Sequence, residues 1–159
     1  MPTLLIKNLV KEIETTPTPY PKEAPQNLDG VEVLIVEDND DNRDMIEVVL
    51  AAHGASVTAV ASASLAQKYL QDSNFDVLVS DIAMSEINGY ELIKYIRELQ
   101  SEVKNIPAIA LTACAKHEDQ IQALTQGFQM HISKPVEPND LIKAVGQLTI
   151  EAKEIQVAS

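Results

Sequence analysis

The chain has 159 residues and one cysteine, and its 24 acidic and 12 basic residues give a net charge of −12. This length predicts one domain, and a single cysteine excludes an internal disulfide framework and a cysteine-based metal cluster. The excess of acidic residues argues against binding to nucleic acid or to anionic membranes. No apolar run approaches the ~20 residues of a membrane-spanning helix. Two explanations of the acidity remain open: solubility alone, or a local carboxylate cluster that binds a cation.

Residues 1–30 differ from the rest of the chain. Apolar residues recur at helical spacing over 4–13, which predicts about three turns of amphipathic helix. Four prolines follow between Pro17 and Pro25 and favour an extended polyproline conformation. We interpret this stretch as a semi-rigid linker, and the alternative is a docking peptide for an aromatic groove.

Strand-length apolar runs alternate with segments of helical periodicity from residue 31 to residue 150. The predicted strands cover 31–36, 56–61, 75–80, 107–111 and 128–132. The predicted helices have apolar faces within 45–52, 65–70, 90–97, 120–124 and 141–148, and Asn139 is expected to cap the last one. Five alternating strands and helices predict an α/β fold, a doubly wound parallel sheet with helices on both faces. Residues 151–159 are predicted to be a tail.

Functional side chains are expected at the carboxyl ends of the strands, because ligands of such folds bind there. The residues at these positions are Glu37 and Asp38 after the first strand, Asp81 after the third, Thr112 and Ala113 after the fourth, and Lys134 and Pro135 after the fifth. Three carboxylates at one edge repel one another unless a cation neutralises them. Mg²⁺ is the natural candidate, since it prefers hard oxygen ligands.

Asp81 is the candidate nucleophile, because a carboxylate can attack phosphorus and form an acyl phosphate. The transition state of that reaction is rich in negative charge and needs cations and hydrogen-bond donors around it. Lys134 would supply a charge, and the Thr112 hydroxyl and the Ala113 N–H would supply hydrogen bonds. Singly, Lys134 and Thr112 are ordinary surface and strand-end residues, but together with the acidic residues they indicate phosphoryl transfer.

Five segments resemble the receiver domains of two-component response regulators. They are 36–43, 80–84, 88–92, 111–113 and 132–135. The resemblance covers residues 31–150, between an N-terminal helix and linker (1–30) and the tail (151–159), and is greatest to receivers attached to hybrid histidine kinases. It implies a flavodoxin-like five-stranded sheet, (βα)5, with strand order 2-1-3-4-5.

The resemblance also implies a role for each acidic residue at the edge. Asp81 is then the phosphoacceptor, and it shares a magnesium ion with Asp38, a direct ligand. Glu37 would act on the metal through water, and the backbone carbonyl of Ala83 would complete the protein's share of the metal shell.

Further roles follow for the fourth and fifth strands. Thr112 is implied to be the switch hydroxyl, Lys134 the lysine that pairs with the phosphoryl group, and the Lys134–Pro135 peptide bond is expected to be cis.

Two positions depart from the family's pattern. His131 replaces the usual Tyr or Phe of the switch; it is interpreted as a partly exposed polar ring or, alternatively, as a pH-sensitive element. Ser85 replaces a common proline, which is expected to loosen the loop and to affect the phosphoryl lifetime.

The implied function is a cytoplasmic phosphorylation switch that receives its phosphoryl group from a histidine kinase or a histidine phosphotransfer protein. Phosphorylation would alter a partner-binding face, and a homodimer through the last strand and helix is a further expectation from the resemblance. Apart from its own phosphorylation and slow autodephosphorylation, no enzymatic activity is expected. The alternatives are a constitutive, phosphate-independent interaction module and an aspartate-nucleophile phosphatase. The latter is disfavoured because Ala83 stands where such enzymes need a second acid.

Overall fold

The computed structural model describes residues 27–113 and 116–158. Five strands form its sheet: β1 (Glu32–Val36), β2 (Ser56–Val60), β3 (Val77–Asp81), β4 (Ala108–Thr112) and β5 (Met130–Ser133). They are ordered β2-β1-β3-β4-β5, and all neighbours run parallel. The predicted flavodoxin-like sheet with order 2-1-3-4-5 is therefore confirmed.

Five α-helices cover the two faces of this sheet. They are α1 (Asp40–Ala52), α2 (Ala63–Asp72), α3 (Gly89–Arg97), α4 (His117–Gln126) and α5 (Pro138–Ala158), and a short 3-10 helix (Glu102–Asn105) precedes β4. Buried residues of α1 and α5 pack on one face, and those of α2, α3 and α4 pack on the other. Successive strand residues such as Val33 and Leu34 belong to opposite clusters. This two-sided burial explains why the strands are apolar throughout. None of the helices in the described ranges is long and apolar enough to cross a membrane.

Short polar side chains start three of the helices close to the strand ends. Asn39 accepts a hydrogen bond from the backbone N–H of Asn42 at the start of α1. Asn88 and Glu91 form a reciprocal capping box at the start of α3, and Ser62 caps α2 in the same way as Asn39 caps α1. Each cap satisfies an N–H group that the helix itself cannot pair. The helix starts at the functional edge of the sheet are thus set locally by the sequence.

The structure differs from the sequence prediction mainly in the last third of the chain. The strand β5 begins at Met130 rather than at residue 128, because Phe128 is buried in the core on the face covered by α2, α3 and α4 before the strand starts. The helix α5 begins at Pro138, since proline fits the first helical position, where no N–H is needed, so Asn139 lies inside the helix and is not its cap. The helix then continues through Ala158, where the sequence predicts a tail from residue 151. Gln147 supports this extension by donating to Glu151 one turn later, with 3.1 Å between Nε2 and Oε1.

Some predictions fall on other parts of the chain. The amphipathic helix predicted at 4–13 and the proline-rich stretch lie outside the described residues, as does the single cysteine of the chain, Cys114.

Candidate functional site

The register of the sheet brings the predicted acidic residues together. β1 and β3 pair Val36 with Ser80, so the next residues, Glu37 and Asp81, lie side by side at the carboxyl edge. Glu37, Asp38 and Asp81 offer carboxylate oxygens that all lie within 4.8 Å of one another. Glu37 and Asp81 are 0% and 2% exposed, whereas Asp38 is exposed. Two of the three carboxylates have therefore lost most of their contact with water, which is costly for charged groups.

Lys134, which directly follows the edge strand β5, contacts this acidic cluster. Its Nζ lies 2.9 Å from Glu37 Oε1 and 3.2 Å from Asp81 Oδ1. β4 and β5 pair Thr112 with Ser133, and the backbone N–H of Lys134 donates to the carbonyl oxygen of Thr112 at 2.7 Å. The structure therefore places the ammonium group, both buried carboxylates and the end of β4 at one edge of the sheet.

The remaining predicted residues lie around this centre. The backbone N–H of Ala83 donates to Asp81 Oδ1 at 3.3 Å, and Ala83 itself is exposed. Ala113 follows Thr112, the buried last residue of β4, and is exposed. His131 pairs with Ala110 in the sheet and is half-buried. Its Nδ1 is buried and has no hydrogen-bond partner among the described residues.

Two further predicted features belong to the surrounding loops. Ser85 is exposed in the loop between β3 and α3. The Lys134–Pro135 peptide bond, directly after β5, is cis.

Burial and mutual contact shift the proton affinities of the central groups. Burial raises the pKa of Asp81 to about 6, and the hydrogen bond and negative charge of Glu37 act in the same direction against the opposing effect of Lys134. For Glu37, burial opposes ionisation, but the contacts with Asp81 and Lys134 prevail and lower its pKa. For Lys134, burial favours the neutral amine, yet the two carboxylates prevail and raise its pKa. Two buried carboxylates thus share one ammonium group, and the site keeps a negative charge at neutral pH.

The donor set fits a hard divalent cation. All three acidic side chains offer oxygen ligands, and within the described ranges no sulfur or imidazole ligand belongs to the cluster. Mg²⁺ prefers one or two carboxylates together with water and phosphate oxygens. Asp38 is open to solvent beside two buried carboxylates, so a hydrated ion could reach the cluster from its side.

Two residues at this edge received no role in the sequence analysis. Arg43 of α1 donates from Nη1 to the backbone oxygen of Glu37 at 2.9 Å. Gly89, the first residue of α3, donates its N–H to Ile82 O at 2.9 Å, and a Cβ at this position would collide with the carbonyl oxygen of Asp81. The sequence pattern predicts that this helix begins after Gly89, and the Asn88–Glu91 spacing of a capping box supports that start, but neither signal indicates the close approach to Asp81. No comparable local signal marks Arg43.

The fold and the site together define a class of protein. Residues 33–146 match the model of a protein family described as "response regulator receiver domain". The chain therefore belongs to the receiver domain family of two-component signalling.

The chain is also similar to individual proteins and solved structures. The chain is 43% identical over 122 residues to an uncharacterized 14.6 kDa protein of Leptolyngbya boryana, covering 77% of this chain and 92% of that protein. It is 34% identical to the response regulator SaeR of Staphylococcus aureus over 77% of this chain, but this region spans only 52% of SaeR. Among solved structures, the chain is similar to the receiver domain of the sensor histidine kinase PA1611 of Pseudomonas aeruginosa, with a TM-score of 0.69 and 30% sequence identity. The match covers 76% of this chain and 98% of that one, and that structure holds a magnesium ion in its active-site cleft.

Proposed function

We propose that this receiver domain accepts a phosphoryl group on Asp81 from a phosphohistidine and thereby switches a partner-binding surface. The observation that carries the proposal is the position of Asp81. Its carboxylate is buried at the end of β3, 3.2 Å from the ammonium group of Lys134 and next to two further carboxylates. A structural ion pair needs one carboxylate for one lysine. Here two buried carboxylates share one lysine and a third carboxylate lies beside them, which suits a site that binds a cation and a phosphoryl group.

The chemistry is a single displacement at phosphorus. An Asp81 carboxylate oxygen forms a bond to phosphorus while the bond from phosphorus to the histidine nitrogen breaks, and the electron pair of that bond returns to the imidazole. Lys134 offers an ammonium group to the charge on the phosphoryl oxygens. The hydroxyl of Thr112 and the backbone N–H of Ala113 are the donors proposed for the same oxygens.

The proposed magnesium site uses Asp38 and Asp81 as direct ligands, Glu37 through a water molecule and the backbone carbonyl of Ala83. When bound, Mg²⁺ would neutralise the carboxylates and the incoming phosphoryl oxygens. The magnesium ion reported in the receiver of PA1611 supports this proposal, as does the all-oxygen cluster of this chain.

The proposed switch and the proposed partner contacts involve residues at the same carboxyl edge of the sheet. Movement of Thr112 toward the phosphoryl group would change the environment of His131 two strands away from Asp81, and a partner would recognise the altered face of β5 and its helices. A histidine kinase or a histidine phosphotransfer protein is the proposed donor. A homodimer is the proposed assembly of the switched form, and the cytoplasm is the proposed location. Residues 31–150 would be the unit that performs this function, with 1–30 and 151–159 outside it.

Intact mass spectrometry with acetyl phosphate and Mg²⁺ tests the proposal. We expect wild type to gain one phosphoryl group, about 80 Da for added HPO₃, and Asp81→Asn and a sample with excess chelator to gain none. Asp76→Asn is the matched control, because Asp76 is an aspartate at the opposite end of β3, and it should be phosphorylated like wild type. No gain by folded wild type in saturating Mg²⁺ would contradict the proposal and favour a phosphate-independent interaction module.

A further inference from the structure

Arg43 joins the first turn of α1 to the residue that enters the acidic cluster. Its Nη1 donates to the backbone oxygen of Glu37 at 2.9 Å, and its Nη2 contacts Asp40 Oδ1 at 2.5 Å. Its backbone N–H donates to Asn39 O at 2.9 Å. The side chain of Arg43 is 19% exposed, whereas that of Asp40 is 82% exposed. The guanidinium group therefore has a fixed place under the turn rather than a solvated one on the surface.

These contacts close a ring over the two acidic residues that precede the helix. The bond from Arg43 to Glu37 spans six residues and encloses Asp38 and the helix cap Asn39. Inside the ring, the N–H of Asn39 points back to Glu37 Oε2 at 3.4 Å. The backbone that carries Glu37 and Asp38 is thus held from both ends, by the end of β1 and by Arg43.

We infer that Arg43 is a positioning residue for Mg²⁺, which holds the Glu37–Asp38 turn in the shape that binds the ion; this inference rests on the magnesium site of the proposed function. Residues that hold metal ligands from outside are commonly worth 10- to 100-fold in metal affinity, in order of magnitude. Arginine suits this role because its planar guanidinium group donates from two nitrogens in a fixed geometry, whereas lysine carries its charge on one nitrogen at the end of a flexible chain.

Charge alone predicts the opposite effect. A guanidinium group close to the site repels Mg²⁺, so its removal should strengthen binding if Arg43 acted only through its charge. If Arg43 acts by holding the turn, its removal should weaken binding. The sign of the change in affinity therefore separates the two possibilities.

Calorimetric titration with MgCl₂ measures this sign on the full chain. We expect Arg43→Lys, which keeps the charge but loses the fork, and Arg43→Ala to bind Mg²⁺ about tenfold more weakly than wild type. The matched control is Arg97→Lys, because Arg97 is the other arginine of the described residues that donates to backbone carbonyls, at the far end of the sheet. This control should bind Mg²⁺ like wild type.

Hydrogen exchange without Mg²⁺ provides an independent measurement. Amides of residues 38–43 should exchange faster in Arg43→Lys than in wild type or Arg97→Lys, while the rest of the domain exchanges as before. Wild-type Mg²⁺ affinity in Arg43→Lys, or tighter binding by Arg43→Ala, would overturn the inference, as would unchanged exchange in the turn. If Arg43→Ala does not fold, Arg43→Lys decides.

The outcomes for Arg43 and for phosphorylation are distinguishable. If wild type binds Mg²⁺ in an Arg43-dependent way but takes up no phosphoryl group, the proposed function fails and the role of Arg43 stands. If wild type is phosphorylated and Arg43→Lys binds Mg²⁺ normally, Arg43 alone loses its role. If folded wild type binds no Mg²⁺, both fail.

Discussion

The two ends of the sheet treat polar groups in opposite ways. At the amino end, polar side chains pair with backbone groups: Asp76 Oδ2 accepts from the N–H of Glu32 at 2.8 Å, and Gln129 Oε1 accepts from the N–H of Ala108 at 2.6 Å. At the carboxyl end, Glu37 and Asp81 are buried against each other with one lysine between them. Matched pairs stabilise a fold, whereas like charges in proximity cost stability and leave capacity for a ligand. The amino end therefore stabilises the fold, whereas the carboxyl end holds unbalanced charge that suits the proposed cation and phosphoryl site.

The largest expected effect lies at the amino end, where Arg97 joins three parts of the chain. Its Nη2 and Nε donate to Gly127 O at 2.7 and 3.1 Å, and its Nη1 donates to Lys104 O at 2.6 Å. Arg97→Ala leaves both carbonyl oxygens without this donor, and we expect a loss of about 3 kcal/mol in the free energy of unfolding, measured by urea denaturation. Lys94→Ala, at an exposed position on the same helix, should cost less than about 0.5 kcal/mol. Equal effects of the two variants would show that the amino end does not depend on the Arg97 contacts.

The next effect has the opposite sign and lies at the carboxyl end. Burial raises the pKa of Asp81 to about 6, so the folded state favours the protonated acid more than the unfolded state does. Without Mg²⁺ and at pH 7.5, we expect Asp81→Asn to unfold with a free energy about 2 kcal/mol higher than wild type, since it removes a buried charge that faces Glu37. Urea denaturation in the presence of a chelator measures the difference.

The pH dependence of this difference provides its own control. A raised carboxyl pKa penalises the folded state as pH increases from about 4, the unfolded value, through about 6. The advantage of Asp81→Asn should therefore be absent near pH 4, grow through pH 6 and level off above it. Added Mg²⁺ should stabilise wild type more than the variant, because only wild type offers the full ligand set. A constant advantage at all pH values would show that the charge of Asp81 is not its cause.

The fold was predictable to a large extent because its signals are local and repeated. The apolar runs, the helical periodicity and turn glycines such as Gly54 and Gly127 place all five strands and helices. The errors at β5 and at the end of α5 have different causes. Phe128 is apolar enough for a strand but is buried in the core before β5 starts. The helix α5 continues to Ala158 through residues 151–158, which contain no proline or glycine, so this error lies in the interpretation of a local signal.

The candidate site was predictable in its members but not in its contacts. Parallel strands bring their carboxyl ends to one edge, so Glu37, Asp81 and Lys134 could be grouped from the sequence alone. The distances that make Lys134 the shared partner of both carboxylates depend on the register of four strands. The contact of Arg43 with the Glu37 carbonyl is invisible in the sequence, because any residue offers the same backbone oxygen.

The smallest expected effect concerns the backbone and extends the contrast between the two ends. Positive φ angles before β1, β2 and β5 fall on Gly30, Gly54 and Gly127, which tolerate them. The loop after Asp81 instead has Glu86 at φ 65°, where a side chain crowds the backbone. Glu86→Gly should therefore raise the free energy of unfolding by about 0.5 kcal/mol, because relief of the strain exceeds the added entropy of the unfolded chain.

Glu98→Gly is the matched control for this variant, since Glu98 has φ −93° at the end of α3 and gains nothing from glycine. The control should lose about 0.5 kcal/mol, so the same substitution would have opposite signs at the two ends. If both variants are destabilised to the same extent, the loop after Asp81 is not strained. The carboxyl end would then differ from the amino end in its charges alone, and the conformation of the loop that holds Ala83 and Ser85 would impose no cost on the fold.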